Sequence, residues 1–188
     1  MSSTTLHTSP SFAASIAPEQ DTTRLRAMVE REHAFVWRSL RRLGVAPGDV
    51  DDGVQKVFLV ASSRLSEVVP GRERAFLFST AVRVASNERR AERRKRSAGP
   101  EPLEALVCDA RSPEKTAHDR ALLDTLLDPL PLELRSVVVL FECEQLTTDE
   151  IGAVLDIPAG TVASRLRRAR ELIEATMRRL RLHDGGGR

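Results

Sequence analysis

Arginine side chains are concentrated in two stretches of the chain. Residues 83–96 and residues 160–181 each hold seven basic residues against two acidic ones, a net charge of +5 in each stretch. The segment between them, residues 97–159, holds 13 acidic and 4 basic residues. The planar guanidinium of Arg binds phosphates and guanine edges in a bidentate way. The pattern therefore predicts two contacts on a polyanion; the alternative is two solvated helix faces.

The composition limits the classes of protein that the chain can be. Its 188 residues, 41% of them apolar, suffice for one or two small domains. There is no apolar run of about 18 residues, and residues 1–20 contain no Lys or Arg and lack the pattern of a signal peptide. Cys108 and Cys143 are too few for a disulfide framework or a four-ligand zinc site. We expect a cytoplasmic protein with no membrane insertion.

The sequence lacks the motifs of known catalytic sites. It has no Gly-rich phosphate loop, no His-rich metal spacing and no Gly-x-Ser-x-Gly motif. Aromatic residues make up 4% of the chain and Tyr is absent, which argues against a base-stacking platform. We expect no enzyme activity, no metal and no cofactor, and an enzyme with a basic substrate groove is a remote alternative.

Helical periodicity runs through the first half of the chain. Apolar residues recur at helical spacing from about residue 21, and Gly44 stands where a C-terminal cap belongs. A second apolar face begins at Val50, and a third helix, Arg-rich in its second half, follows the break at Pro70. These elements predict a three-helix domain over residues 21–96, after a disordered tail at residues 1–20.

The second half is also helical. Residues 97–117 hold three prolines and no clean period, which predicts a flexible linker. Pro131 suits the first residue of a helix, and Thr147 and Glu150 have the spacing of a capping box. With a long helix at about residues 159–182, these elements predict a second domain over residues 118–182. No alternating strand pattern is present, so the expected fold is all-α, with two small helical domains.

A helix-turn-helix is predicted from Thr147 to Arg170, in preference to a plain helical hairpin. At about 100° per residue, four apolar residues of the long helix share one face and should pack against the core. They are Val162, Leu166, Ala169 and Ile173. The residues predicted to meet DNA are Gly160, Thr161, Ala163, Ser164, Arg165, Arg167, Arg168 and Arg170. Ser164, Arg167 and Arg168 suit base edges, whereas Arg165 and Arg170 suit phosphates. A rotation of about 40° would exchange Arg165 and Arg168.

The same segments resemble region four of bacterial sigma factors. Residues 160–170 read GTVASRLRRAR, and every fixed position of the signature GTVxSRLxRAR of extracytoplasmic-function (ECF) sigma factors is present. Residues 130–140 and 149–155 are also similar to this region. The resemblance implies recognition of the −35 promoter element by the second domain.

Residues 51–59 (DDGVQKVFL) resemble the DxxQxVF segment of sigma region two. The resemblance implies that this helix docks on the β′ subunit of core RNA polymerase. The residues assigned to polymerase binding are Asp51, Asp52, Gln55 and Phe58. The alternative for Asp51 and Asp52 is ordinary acidic charge at a helix N-terminus, where it is favoured.

The helix from Phe76 to about residue 96 resembles the one that reads and opens the −10 element. The residues assigned to −10 binding are Arg83, Asn87, Arg90, Arg93 and Arg94. Arg83 stands where the family usually has an Asn-like residue, and Asn87 where it has an acid, so backbone contact is favoured over base reading. The loop at residues 62–73 matches the place where the family captures a flipped base. Core packing is favoured for Phe76 over a role in melting.

The sequence thus predicts an ECF-type sigma factor that binds core RNA polymerase, through β′ and β, and directs promoter-specific initiation. The alternative is a stand-alone helix-turn-helix regulator that does not join polymerase. Promoter DNA is the other expected partner, and the resemblance implies an anti-sigma factor. The linker is expected to be mobile without polymerase, unless the two domains pack on each other.

Overall fold

A computed structural model of the chain describes residues 17–97 and 114–184. Within these two ranges all regular elements are helical and no strand is present. The predicted all-α fold of two helical domains is confirmed. None of the helices in these ranges is long and apolar enough to cross a membrane.

Domain one consists of three long helices. They are α1 (Ala17–Arg42), α2 (Val50–Ser63) and α3 (Glu73–Ser97), with single 3₁₀ turns at Pro47–Asp49 and Leu65–Glu67. Each packs on the other two around a core that includes Leu40, Val57 and Leu77, all with no more than 1% of their surface exposed. Gly44 ends α1 with a positive φ of 91°, as expected for a C-terminal glycine cap.

Domain two consists of four helices. They are α4 (Glu114–Leu127), α5 (Leu132–Val138), α6 (Thr148–Leu155) and α7 (Ala159–Asp184). A π-helical turn at Val139–Cys143 continues α5. The core of domain two is formed by side chains such as Leu127, Val137 and Ile151, on helices that pack against α7.

Three element boundaries differ from the sequence prediction. Helix α1 begins at Ala17 rather than near residue 21, and α4 begins at Glu114, inside the predicted linker. The first turns of α1 and α4 are polar, so hydrophobic periodicity does not reveal them. An acidic residue such as Glu114 nevertheless stabilises a helix N-terminus. Pro131 is the residue that precedes α5, with φ −53° and ψ 150°, rather than its first residue. The predicted tail up to residue 16 and the linker at residues 98–113 lie outside the described residues.

Candidate functional site

The first helix of the helix-turn-helix, α6, begins at a complete capping box. The backbone N–H of Thr147 donates to Glu150 Oε2 over 2.8 Å, and the backbone N–H of Glu150 donates to Thr147 Oγ1 over 3.3 Å. The Thr147 hydroxyl also donates to Glu150 Oε2, over 2.8 Å, and the two hydrogen bonds that this carboxylate accepts from Thr147 hold the pKa of Glu150 below its usual value. The sequence prediction of this cap is confirmed.

The turn between α6 and α7 depends on a close backbone approach. Asp156 has a left-handed φ of 55°, and the N–H of Ile157 donates to the carbonyl of Gly152 over 3.0 Å. A Cβ atom on Gly152 would lie 2.7 Å from the carbonyl oxygen of Ile157. A side chain at this position would therefore push α6 and the start of α7 apart. The close approach of the two helices requires glycine here.

Helix α7 turns its arginines to the surface. Val162, Leu166 and Ala169 are buried, with at most 4% of their surface exposed, as the periodicity predicts. The predicted DNA-binding residues that lie exposed are Gly160, Ala163, Ser164, Arg167, Arg168 and Arg170. Thr161 and Arg165 are half-buried. The first three turns of α7 thus carry an exposed polar and basic surface.

The exposed arginines are held by neighbouring groups. Arg167 and Arg168 both donate to Glu171, over 3.1 Å and 3.0 Å. The guanidinium of Arg170 lies 5.5 Å from the centre of the Phe141 ring and 3.7 Å from the carboxylate of Glu142. Arg170 is therefore positioned by the π-helical turn after α5, which sequence reasoning missed.

A second basic surface lies on α3 in domain one. The predicted −10 residues Arg83, Asn87, Arg90, Arg93 and Arg94 are all exposed along this helix. Arg89, between them, is half-buried and donates to the carbonyl of Leu43 over 3.3 Å. The surface is thus built from the outward turns of one long helix.

The outer face of α2 is the candidate docking surface for polymerase. Asp51, Asp52 and Gln55 are exposed, and Asp51 accepts a hydrogen bond of 3.0 Å from Trp37 Nε1. The structure places Phe58, which was assigned to the same set, in the core with 9% of its surface exposed. Phe58 therefore holds α2 against its own domain.

Leu59 belongs to this outer face and was missed by sequence reasoning. It is 61% exposed, and at about 100° per residue it lies within about 60° of both Asp52 and Gln55 on α2. The sequence already indicated that Leu59 is exposed, because Leu59 lies opposite the buried face of α2 that contains Val54, Val57 and Ala61. We name Asp52, Gln55 and Leu59 the α2 stripe.

The loop that precedes α3 is hydrogen-bonded to α1. The Arg24 side chain donates to the carbonyls of Leu65, over 3.2 Å, and Val68. Val69 nevertheless stays 57% exposed at the tip of the loop. Phe76 is half-buried and packs against the core, in keeping with the favoured prediction.

These elements define a helix-turn-helix protein with a second, Arg-rich helical domain. In the described part of the chain, no cluster of three or more His, Cys, Asp or Glu residues could hold a metal ion. Residues 28–95 match the family model "Sigma-70 region 2", and residues 120–173 match "Sigma-70, region 4".

Curated relatives agree with these matches. The ECF RNA polymerase sigma factor SigE of Mycolicibacterium smegmatis is 34% identical over 146 residues, which cover 75% of this chain and 57% of that protein. The ECF RNA polymerase sigma-E factor of Escherichia coli K12 is 33% identical over 144 residues, which cover 69% of this chain and 74% of that protein. The chain belongs to the sigma-70 family, in its ECF group.

Solved structures share the fold. CnrH, in complex with the cytosolic domain of CnrY, superposes with a TM-score of 0.63 at 24% identity, over 87% of this chain and 94% of that one. The sigma factor RpoE, in complex with the anti-sigma factor NepR from Bartonella quintana, gives 0.57 at 17% identity, over 85% and 98%. At these identities the likeness concerns the fold.

Proposed function

We propose that the chain joins core RNA polymerase and directs it to promoters that carry a −10 and a −35 element. The observation that carries the proposal is the presence, in one chain, of two exposed basic surfaces and a separate outer face on α2. A stand-alone regulator needs the arginines of α7 but has no use for the α2 stripe. The protein makes no bonds itself, because RNA synthesis belongs to the polymerase.

The three surfaces have distinct proposed roles. The α2 stripe docks on the β′ subunit, and its apolar member Leu59 adds buried area to the polar contacts of Asp52 and Gln55. The outward turns of α3 bind the −10 element, largely through its backbone. The N-terminal half of α7 enters the major groove of the −35 element. The site of action is the cytoplasm, where the polymerase works.

An anti-sigma factor is a further proposed partner. The supporting observation is that RpoE was solved in complex with the anti-sigma factor NepR. We therefore propose that a protein of this class binds the chain.

Binding to core polymerase tests the docking proposal. We expect Asp52→Ala together with Gln55→Ala, and separately Leu59→Asp, to weaken binding while the melting temperature stays nearly unchanged. Exposed substitutions usually change stability by no more than about 0.5 kcal/mol. The matched control is Glu30→Ala with Arg38→Ala, two exposed residues of α1. Unchanged polymerase affinity in both α2 variants would refute the docking assignment.

A further inference from the structure

Trp37 of α1 forms a hydrogen bond to the first turn of α2. Its Nε1 donates to Asp51 Oδ1 over 3.0 Å, although the two residues lie 14 positions apart in the chain. Asp51 follows Val50, the first residue of α2, and its side chain is exposed. The bond therefore joins two helices at the surface of domain one, beside the candidate docking surface for polymerase.

The core of domain one holds the indole ring in place. Trp37 is half-buried and packs against this core, and Val36 and Leu40, close to it on α1, have no exposed surface. A Trp ring has an apolar body and one polar group, its N–H, which usually finds a partner. Core packing thus sets the direction of the N–H, and the N–H in turn sets the position of the Asp51 carboxylate.

This bond differs from an ordinary helix cap. Acidic side chains near a helix N-terminus act through the helix dipole or accept from backbone N–H groups. Asp51 Oδ1 instead accepts from a side chain of another helix, and the N-cap residue Asp49 makes no side-chain capping bond. The bond is also exposed, so water competes with it and it adds little to the stability of the free domain. What the bond supplies is a fixed direction for the carboxylate.

The indole orients Asp51 without neutralising it. An indole N–H donates one hydrogen bond and carries no charge, so the carboxylate stays negative and its second oxygen can accept another bond. Glu88 of α3 is held differently, because Lys56 Nζ donates to it over 2.7 Å and offsets its charge. At about 100° per residue, Lys56 lies about 140° from Asp51 around α2. On its own side of α2, Asp51 is thus prepared for a cation of a partner.

Asp51 adjoins the α2 stripe. Four residues at about 100° per residue place it about 40° from Gln55 on α2. The stripe and Asp51 thus form one exposed surface, whose Asp51 edge meets α1. The steps that follow rest on the proposed function, in which this surface docks on the β′ subunit. Docking would exclude water from the Asp51 carboxylate, and both of its hydrogen bonds would then be stronger than in the free chain.

We infer that Trp37 is a positioning residue for polymerase docking. It holds the Asp51 carboxylate toward an Arg or Lys side chain of core polymerase, so that the docking surface continues from α2 to α1. Loss of the indole N–H leaves an acceptor of this carboxylate unsatisfied when the complex buries it. The loss is therefore expected in the binding affinity and hardly in the stability of the free chain.

NMR spectroscopy of the free chain tests the bond without polymerase. Trp37 is the only tryptophan in the sequence, so a proton–nitrogen correlation spectrum contains one indole N–H signal. Asp51→Ala should move this proton signal upfield, because the proton loses a charged acceptor. Asp52→Ala is the matched control, since it removes the same charge one residue farther along α2, and it should move the signal much less. Equal shifts in the two variants, or no shift in Asp51→Ala, would overturn the inference.

A double-mutant cycle on core polymerase binding tests the positioning role. Trp37→Phe keeps an aromatic ring but removes the N–H, and it should lower the affinity about fivefold or more. Asp51→Ala should lower the affinity at least as much, and the two changes together should lower it no further than Asp51→Ala alone. Melting temperatures show whether each variant is folded. Additive losses would mean that Trp37 acts independently of Asp51, and they would overturn the positioning role, as would an unchanged affinity of Trp37→Phe.

Asp51→Asn tests the cation and leaves Trp37 intact, so it decides the matter even if Trp37→Phe does not fold. The variant keeps an acceptor oxygen for the indole but loses the charge. It should weaken polymerase binding and make that binding less dependent on salt, because one ion pair is lost. An affinity and a salt dependence equal to those of the parent would refute the inference.

The variants of the α2 stripe separate this inference from the proposed function. If Asp52→Ala with Gln55→Ala weakens polymerase binding while the Asp51 and Trp37 variants do not, the proposed function stands and the inference fails. If the parent chain itself does not bind core polymerase, the proposed function fails and the docking role of Trp37 fails with it. The NMR result still decides whether the bond between the two helices exists.

Discussion

Arg167 and Arg168 of α7 donate to the two oxygens of one carboxylate, that of Glu171, over 3.1 Å and 3.0 Å. The three residues lie on the exposed side of α7, where the side chains of Arg167 and Arg168 are 75% and 64% exposed. Glu171 therefore orients both guanidinium groups without burying them. In the proposed complex, these groups must exchange this carboxylate for bases or phosphates.

The first prediction separates base reading from phosphate binding. Arg167→Ala or Arg168→Ala should cost about 1–3 kcal/mol and relax the preference at one −35 position, because a bidentate contact to guanine is lost. Arg170→Ala should weaken binding to all sequences alike and lower the salt slope by about one unit. Binding to a panel of single-base −35 variants at several salt concentrations measures both. If every variant lowers affinity uniformly, base reading lies with Gly160–Ala163 or with DNA shape.

The second prediction concerns Glu171 itself. Glu171→Gln should raise the affinity for −35 DNA by up to about fivefold, because the arginines no longer have to break an ion pair worth about 0.2–1 kcal/mol when they bind DNA. Glu174→Gln is the matched control, since Glu174 pairs with Arg178, at 4.0 Å, farther along α7. Fluorescence anisotropy with one duplex compares the two. An equal gain in both variants would mean that total charge matters and the pairing does not.

The third prediction follows from Glu32, which is buried between α1 and α3 with 3% of its surface exposed. It accepts hydrogen bonds of 2.8 Å from both Arg31 and Arg74. Burial acts to raise the pKa of Glu32, but the hydrogen bonds and charges of Arg31 and Arg74 outweigh it and leave the pKa below its usual value. The folded state therefore favours the ionised carboxylate.

The stabilisation from Glu32 is complete above its unfolded pKa of about 4.3 and is lost as the pH falls through the lower, folded pKa. Glu32→Gln should cost about 1–3 kcal/mol at neutral pH and less in acid. The urea midpoint measured between about pH 7 and pH 3 should thus vary less in this variant than in the parent. Glu30→Gln, an exposed position on the same helix, should keep the parent's dependence. Parallel curves for all three proteins would contradict this account.

Local features of the fold followed from the sequence. The capping box of Thr147 and Glu150, the cap at Gly44 and the buried face of α7 depend on residues within a few turns of each other. Such interactions have a fixed spacing and can be read from it. The region-four resemblance covered the same residues, and for this reason the helix-turn-helix was the most completely predicted element.

Features that depend on distant residues did not follow. Arg135 appeared as one base in an acidic segment, and nothing in its neighbours indicates that it is buried against Arg42. The support of Arg170 by Phe141 requires the π-helical turn, which no periodicity indicates. Leu59 differs, because its position opposite the buried face of α2 was available from the sequence.

Run-off transcription from a randomised promoter library tests whether this chain turns core polymerase into a promoter-specific enzyme. With core polymerase and the parent chain, we expect transcripts enriched in two sequence blocks at a constant spacing. The Asp52→Ala, Gln55→Ala variant should lose these transcripts, whereas the Glu30→Ala, Arg38→Ala control should retain them. No enrichment above core polymerase alone, from a chain that still binds one DNA sequence by itself, would contradict the claim and identify a stand-alone regulator.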